Sequence, residues 1–63
     1  MNILTQFIYE RIWQKTTKEE ALKIIKDEMP YTDEEATLKY ILEEIKKGKT
    51  ITLGECRFKS DIS

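Results

Sequence analysis

The N-terminal segment places its apolar side chains at intervals typical of a helix. The apolar positions recur at spacings of three, four and five residues: Ile3, Leu4, Phe7, Ile8 and Ile12. This spacing favours a helix over the period-two alternation of a strand, and we expect a helix at residues 3–14. At about 100° per residue, the five side chains cover about half of the helix circumference. Tyr9 and Trp13 extend this apolar surface further.

The second predicted helix has a clear beginning and end. Thr17 and Glu20 fit a capping box, in which the threonine hydroxyl accepts from the Glu20 amide and the glutamate reaches back. The helix is predicted at residues 18–29. It ends before Pro30, because the residue that precedes a proline is disfavoured in helical backbone.

A third helix is predicted at residues 33–47. Thr32 and Glu35 fit a second capping box, and Tyr31 and Ala36 occupy the two positions of a hydrophobic staple. Its buried face consists of the residues at helical spacing: Leu38, Ile41, Leu42 and Ile45.

After Gly48, which is placed to cap the third helix, polar and apolar residues alternate. Gly54 and Glu55 suit a two-residue type II′ turn, and we predict a β-hairpin at residues 49–59. Such a loop pairs Leu53 with Cys56, Thr52 with Arg57, Ile51 with Phe58 and Thr50 with Lys59. This register puts the apolar side chains on one face, and a slip by one residue would destroy the separation.

These elements predict an α+β fold, with three short α-helices followed by a C-terminal two-stranded β-hairpin in a single small domain at residues 1–63. A domain of this size buries only ~60% of the surface of its unfolded chain, so its stability is marginal. An isolated hairpin is also marginal in water, so its apolar face must lie against the helices or a second subunit. Because the chain begins with Met and has no tag-like tail, we expect a complete small protein.

The composition argues against catalysis. The 63 residues include no histidine and one cysteine, so the usual general base and the commonest metal ligand are missing. We therefore expect no enzymatic activity, catalytic residue, metal or cofactor. A lone cysteine forms no intrachain disulfide, which is typical of the reducing cytoplasm. Glu10 and Arg11 interrupt the apolar N-terminal run, so we expect neither a signal peptide nor a membrane span.

Three local patterns that resemble functional motifs have simpler interpretations. Cys56 falls on the apolar face of the predicted hairpin, where a cysteine usually acts as a small hydrophobe. Adjacent carboxylates such as Glu43 and Glu44 do not face each other on a helix. The sequence from Gly48 to Thr50 matches the end of a phosphate-binding loop, but Glu43 stands where the first glycine is required and a helix precedes it.

Charge is distributed unevenly along the chain. Residues 1–45 carry 6 basic and 10 acidic side chains, a net charge of −4, and residues 46–63 carry 5 and 2, a net charge of +3. Nucleic-acid binding through the basic residues of the C-terminal part is therefore an alternative function: Lys46, Lys47, Lys49, Arg57 and Lys59. Three helices and a hairpin is also the element order of a winged helix. Acidic residues at the start of the third helix, and a total charge of −1, oppose that alternative. The simplest interpretation is that these charges only keep the surface solvated.

The apolar excess of the first predicted helix suggests the leading function. Ile3 and the three aromatic residues Phe7, Tyr9 and Trp13 exceed what two short helices and a hairpin can cover, and exposed aromatic residues are typical of contact surfaces. We expect a homodimer, joined through the first helix or the hairpin edge, because a second subunit would supply buried area. The predicted function is a small regulatory or adaptor protein that binds a protein partner through these three residues.

Overall fold

The structure is a computed structural model, and it describes residues 2–61. These residues form four strands and two helices: β1 (Ile3–Phe7), β2 (Gln14–Thr16), α1 (Lys18–Glu28), α2 (Glu34–Lys46), β3 (Ile51–Leu53) and β4 (Cys56–Ser60). The strands make one sheet in the order β2-β1-β4-β3, in which every neighbouring pair is antiparallel. Both helices pack on the same face of this sheet, so the fold is α+β with two layers.

The helix predicted at residues 3–14 is wrong, and with it the fold of three helices and a two-stranded hairpin. This segment forms β1, a loop at residues 8–13, and β2. β1 pairs with β4 over five residues, from Ile3 opposite Ser60 to Phe7 opposite Cys56. The helical spacing was misleading because Leu4 lies on the opposite face of the strand from Ile3 and Phe7, so the apolar residues do not belong to one stripe.

The C-terminal hairpin has the predicted register. Ile51 lies opposite Phe58, Thr52 opposite Arg57 and Leu53 opposite Cys56. Gly54 has φ +59°, and Glu55 has no positive φ, as a type II′ turn requires. The hairpin is not a separate unit, because β4 also pairs with β1 and is therefore an interior strand.

The two helices correspond to the second and third predicted helices, although one predicted cap is wrong. Thr17 and Glu20 form the predicted capping box of α1. α2 begins after Asp33, whose carboxylate accepts from two backbone N–H groups of the first turn. Thr32 precedes the N-cap of α2, which is Asp33, and its hydroxyl donates instead to the Met29 carbonyl at 2.8 Å.

The predicted staple between Tyr31 and Ala36 is also absent, since Tyr31 is fully exposed. At the other end of α2, Gly48 adopts φ +91° and ends the helix as predicted. Its N–H donates to the Ile45 carbonyl at 3.0 Å, and the Lys49 N–H donates to the Glu44 carbonyl at 3.3 Å. These two bonds form the Schellman arrangement that satisfies the last carbonyls of a helix.

The core lies between the helices and the central strands. Its members are the buried apolar residues of both layers: Ile3, Ala21, Ile25, Leu38, Ile41, Ile45, Cys56 and Phe58. Thr5 is buried at the edge of this core, and its hydroxyl bonds that of Thr16 at 2.6 Å. Within residues 2–61, neither helix has the length and apolar character that crossing a membrane requires.

A substitution at Gly54 tests how closely α1 packs against the turn between β3 and β4. A Cβ at this position would contact the Glu28 carboxylate, and φ +59° is unfavourable for any L side chain. We expect Gly54→Ala to lower the free energy of unfolding by at least ~1–2 kcal/mol, measured by urea denaturation. The Glu28→Ala background should reduce that loss, because it removes the steric contact.

Gly48→Ala is the matched control, since its φ is positive but nothing lies within 4 Å of the added Cβ. Its cost should be the same with Glu28 or Ala at position 28. Equal costs of Gly54→Ala in the two backgrounds would show that the close approach of Glu28 does not exist in solution.

Candidate binding surfaces

One face of the sheet is not covered by helices and carries three cations. Neighbouring residues of a strand point to opposite faces, so the strand register defines this surface. One row across the sheet contains Lys15, Leu4 and Lys59, and the next contains Gln6, Arg57 and Thr52. None of these strand positions is acidic. We call these six residues, together with Trp13, the open sheet face.

Trp13 lies against the basic part of the open sheet face. It lies two residues before Lys15 and is partly buried. The Lys59 Nζ lies 4.4 Å from the centroid of the ring, a distance at which an ammonium is attracted to the aromatic face. The tryptophan and the cations are therefore parts of one surface.

An acidic side chain stands at the end of this surface. Asp61 accepts hydrogen bonds from the backbone N–H of Asn2 at 3.0 Å and from its side-chain amide at 2.9 Å. The bond from the Asn2 backbone is the main reason that the pKa of Asp61 lies below its usual range. This carboxylate is held by the chain end opposite it in the sheet rather than by the three cations.

The loop at residues 8–13 presents a second surface, of opposite character. Ile8, Tyr9 and Ile12 are 59%, 74% and 72% exposed. Arg11 is the exposed charged residue among them. We call residues 8–12 the apolar loop.

Hydrogen bonds to the Glu10 carboxylate fix the base of the apolar loop. Its carboxylate accepts from the Phe7 N–H at 2.9 Å and from the Gln14 side-chain amide at 3.0 Å. The Ile8 N–H donates to the Glu55 carbonyl at 2.9 Å, which places the loop beside the turn between β3 and β4. The exposed apolar side chains are therefore presented by a loop whose two ends are bonded together.

The residues predicted to bind a partner are Phe7, Tyr9 and Trp13. They lie on the hairpin of β1 and β2, and not on a helix. Phe7 is partly buried against the core, and its ring stacks on that of Tyr9 with centroids 5.5 Å apart. Trp13 lies apart from this pair, beside Lys59. The pattern of apolar residues did not separate Ile8 and Ile12, which are exposed, from Ile3, which is in the core.

The five basic residues predicted to bind nucleic acid do not lie together: two lie on the sheet, two after the end of α2, and one beside a groove between the helices. Arg57 and Lys59 lie on the open sheet face. Lys47 and Lys49 lie 3.2 and 3.9 Å from the Glu44 carboxylate, at the end of α2. Lys46 lines a groove between the helices. Lys15 was missed because it lies on β2, a strand that the sequence did not reveal.

Charge separates the two layers of the molecule. Residues 17–46, which contain both helices, carry 9 acidic and 5 basic side chains, a net charge of −4. The remainder of the chain carries 3 acidic and 6 basic side chains, a net charge of +3. The polarity predicted along the chain is therefore a polarity between the helical layer and the sheet.

A groove lies between the two helices. It has a volume of 540 Å³ and an apolar floor of Leu22, Leu38 and Leu42. Side chains of both charge signs surround it: Lys18, Glu35, Lys39, Glu43 and Lys46. No group of three or more potential metal-ligating acidic or cysteine side chains is found within residues 2–61.

Cys56 is a core residue. It is fully buried and unpaired, and burial raises the pKa of its thiol to about 11, with smaller contributions from the negative charges of Glu28 and Glu10. A thiol is nucleophilic only as the thiolate, so at neutral pH Cys56 has the properties of a small hydrophobe.

This burial predicts both the reactivity of Cys56 and its effect on stability. We expect the thiol to react with Ellman's reagent at neutral pH only as fast as the protein unfolds, and rapidly in denaturant. The unfolded thiol ionises near pH 9 and the folded one near pH 11. The neutral thiol therefore contributes its full share to the free energy of unfolding below pH ~9. This contribution, about 2–3 kcal/mol, is lost as the pH rises through ~11.

Cys56→Val is the control, because valine is a small apolar residue without an ionisable group. Its free energy of unfolding should fall less than that of the unchanged protein between these two pH values. Fast labelling of the native protein at pH 7 would contradict the burial of this thiol.

Comparison with known proteins assigns this chain to no family. No family model matches the sequence, no curated protein is significantly similar to it, and no solved structure is significantly similar to its fold.

Proposed function

We propose that the chain is a small non-enzymatic regulatory or adaptor protein that binds a protein partner through the apolar loop. The observation that carries this proposal is the exposure of two isoleucines and a tyrosine, Ile8, Ile12 and Tyr9, within six residues. Single exposed apolar residues are ordinary on protein surfaces, but a cluster of large ones is typical of a contact site.

The way the loop is held supports this proposal. Glu10 bonds both ends of the loop, and Phe7 stacks beneath Tyr9. A loop that is already ordered loses less conformational entropy when it binds. Tyrosine and arginine are also enriched at binding hot spots, and Arg11 lies between the exposed apolar residues.

A second copy of the chain is one protein that the loop could bind, so the predicted homodimer remains part of this proposal. Fewer apolar residues are left for a dimer contact than the sequence suggested, because Ile3 is in the chain's own core and Phe7 packs against that core. The hairpin edge that was the other predicted route is β3, an edge strand of three residues. The apolar loop is therefore the better contact surface for either kind of partner.

The test uses the double variant Ile8→Ser/Ile12→Ser. Each isoleucine contributes about 1.5–3 kcal/mol when it is buried at an interface, so we expect the variant to bind a partner at least tenfold more weakly. Sedimentation velocity measures self-association, and affinity capture followed by titration of the purified partner measures hetero-association. Circular dichroism and urea unfolding show whether the variant is folded.

Tyr31→Ser is the matched control, because this tyrosine is 100% exposed between the helices and far in sequence from the loop. It should leave binding unchanged. A photo-crosslinking amino acid at position 9 should capture the same partner, and one at position 31 should not. Retention of all associations by the folded loop variant would eliminate the proposal.

A further inference from the structure

We propose that the open sheet face binds single-stranded nucleic acid, with Lys15, Arg57 and Lys59 contacting phosphates and Trp13 stacking on a base. This site is separate from the apolar loop and does not depend on the function proposed for it. It also differs from the basic cluster expected from the sequence, since Lys46, Lys47 and Lys49 lie elsewhere in the fold.

The charge of this face favours a polyanion. Lys15 and Arg57 are exposed, Lys59 is partly exposed, and the strand positions between them are uncharged. The helical layer on the opposite side has a net charge of −4. The molecule therefore repels a polyanion on one side and attracts it on the other, which orients an encounter towards the sheet.

The spacing of the cations suits several phosphates of an extended strand. Arg57 and Lys59 are two residues apart on β4, which separates their Cα atoms by about 6.6–6.8 Å. Lys15 lies two strands from Lys59, about 9–10 Å across the sheet. The three strand positions are therefore spread across the sheet and are not clustered at one point.

Trp13 distinguishes this surface from one that is merely basic. Indole rings stack on bases of any sequence, and basic groups beside aromatic residues are typical of proteins that bind single strands. In the free protein the Lys59 ammonium occupies a position 4.4 Å from the ring centroid. A phosphate would compete for this ammonium, and a base would then take its place on the ring.

The absence of a helix from this face argues for a single strand instead of a duplex. Reading B-form DNA requires a helix or a two-stranded ribbon that enters the major groove. The helices of this chain lie on the other face of the sheet. Unpaired bases, by contrast, can lie on an open sheet and reach its side chains.

The experiment is an anisotropy titration of a labelled oligothymidylate of about 15 nucleotides, at ~50 mM salt. Trp13 is the only tryptophan, so its fluorescence reports stacking directly. We expect saturable binding, quenching of the tryptophan, and affinity that falls roughly ten- to twentyfold between ~50 and ~200 mM salt for three phosphate contacts. Absence of binding at the lower salt concentration would overturn the proposal.

Two charge-matched double variants distinguish binding at this site from a general effect of the protein's net charge. Arg57→Gln/Lys59→Gln should weaken binding at least tenfold. Lys23→Gln/Lys26→Gln removes the same charge from exposed positions on α1 and should have little effect. Equal losses in the two double variants would show that only net charge matters and would contradict the site.

The role of Trp13 is tested with two substitutions. Trp13→Ala should weaken binding roughly tenfold, and Trp13→Phe, which keeps an aromatic ring, should retain most of the affinity. If Trp13→Ala does not fold, the phenylalanine variant and the quenching of the unchanged protein still decide the question. Unquenched tryptophan on saturation would rule out stacking.

Competitors and the loop variant complete the test. Poly-glutamate or duplex DNA that displaced the oligonucleotide as effectively as unlabelled oligothymidylate would overturn the assignment of the occupant. Ile8→Ser/Ile12→Ser should bind the oligonucleotide normally, because the apolar loop lies outside this face. A loop variant that loses protein binding alone would show that the two surfaces function independently.

Discussion

The pairing of β1 with β4 is the contact on which the rest of the structure depends. It joins residues from the two ends of the described chain over five positions and makes β4 an interior strand. Without it, the sheet would separate into two short hairpins, each too small to be stable in water. It also places Thr5 opposite Phe58 on the face that the helices cover, and Leu4 opposite Lys59 on the face that they leave open.

Local signals predicted the parts of the fold that local interactions determine. The capping box at Thr17, the glycine that ends α2, and the alternation around Gly54 each depend on residues a few positions apart, and the structure contains all three. The N-terminal strand could not be found in this way, because its main partner is separated from it by almost the whole chain. Two of its five residues are β-branched, Ile3 and Thr5, which is a weak preference for a strand.

The pairing of β1 with β4, which the sequence did not reveal, also explains why the two surfaces were not predicted. With residues 3–14 treated as a helix, Lys15 and Lys59 belonged to different regions, and the apolar residues near the N-terminus formed one stripe. Pairing in the sheet separates those residues into core and loop, and it brings Trp13 to Lys59. The basic residues that did follow local rules, such as Lys47 and Lys49, are paired with Glu44 at the end of a helix.

The bonds between Asn2 and Asp61 have a topological consequence. Because the Asp61 N–H donates to the Asn2 carbonyl at 3.2 Å while its carboxylate accepts from the Asn2 amides, the described chain is nearly a closed ring. A short linker joining these positions would preserve the order of strands in space while changing the order in which they are synthesised. New ends opened in the exposed connection between α1 and α2 would then make β1 and β4 neighbours in sequence, and the slowest contact to form would become a local one.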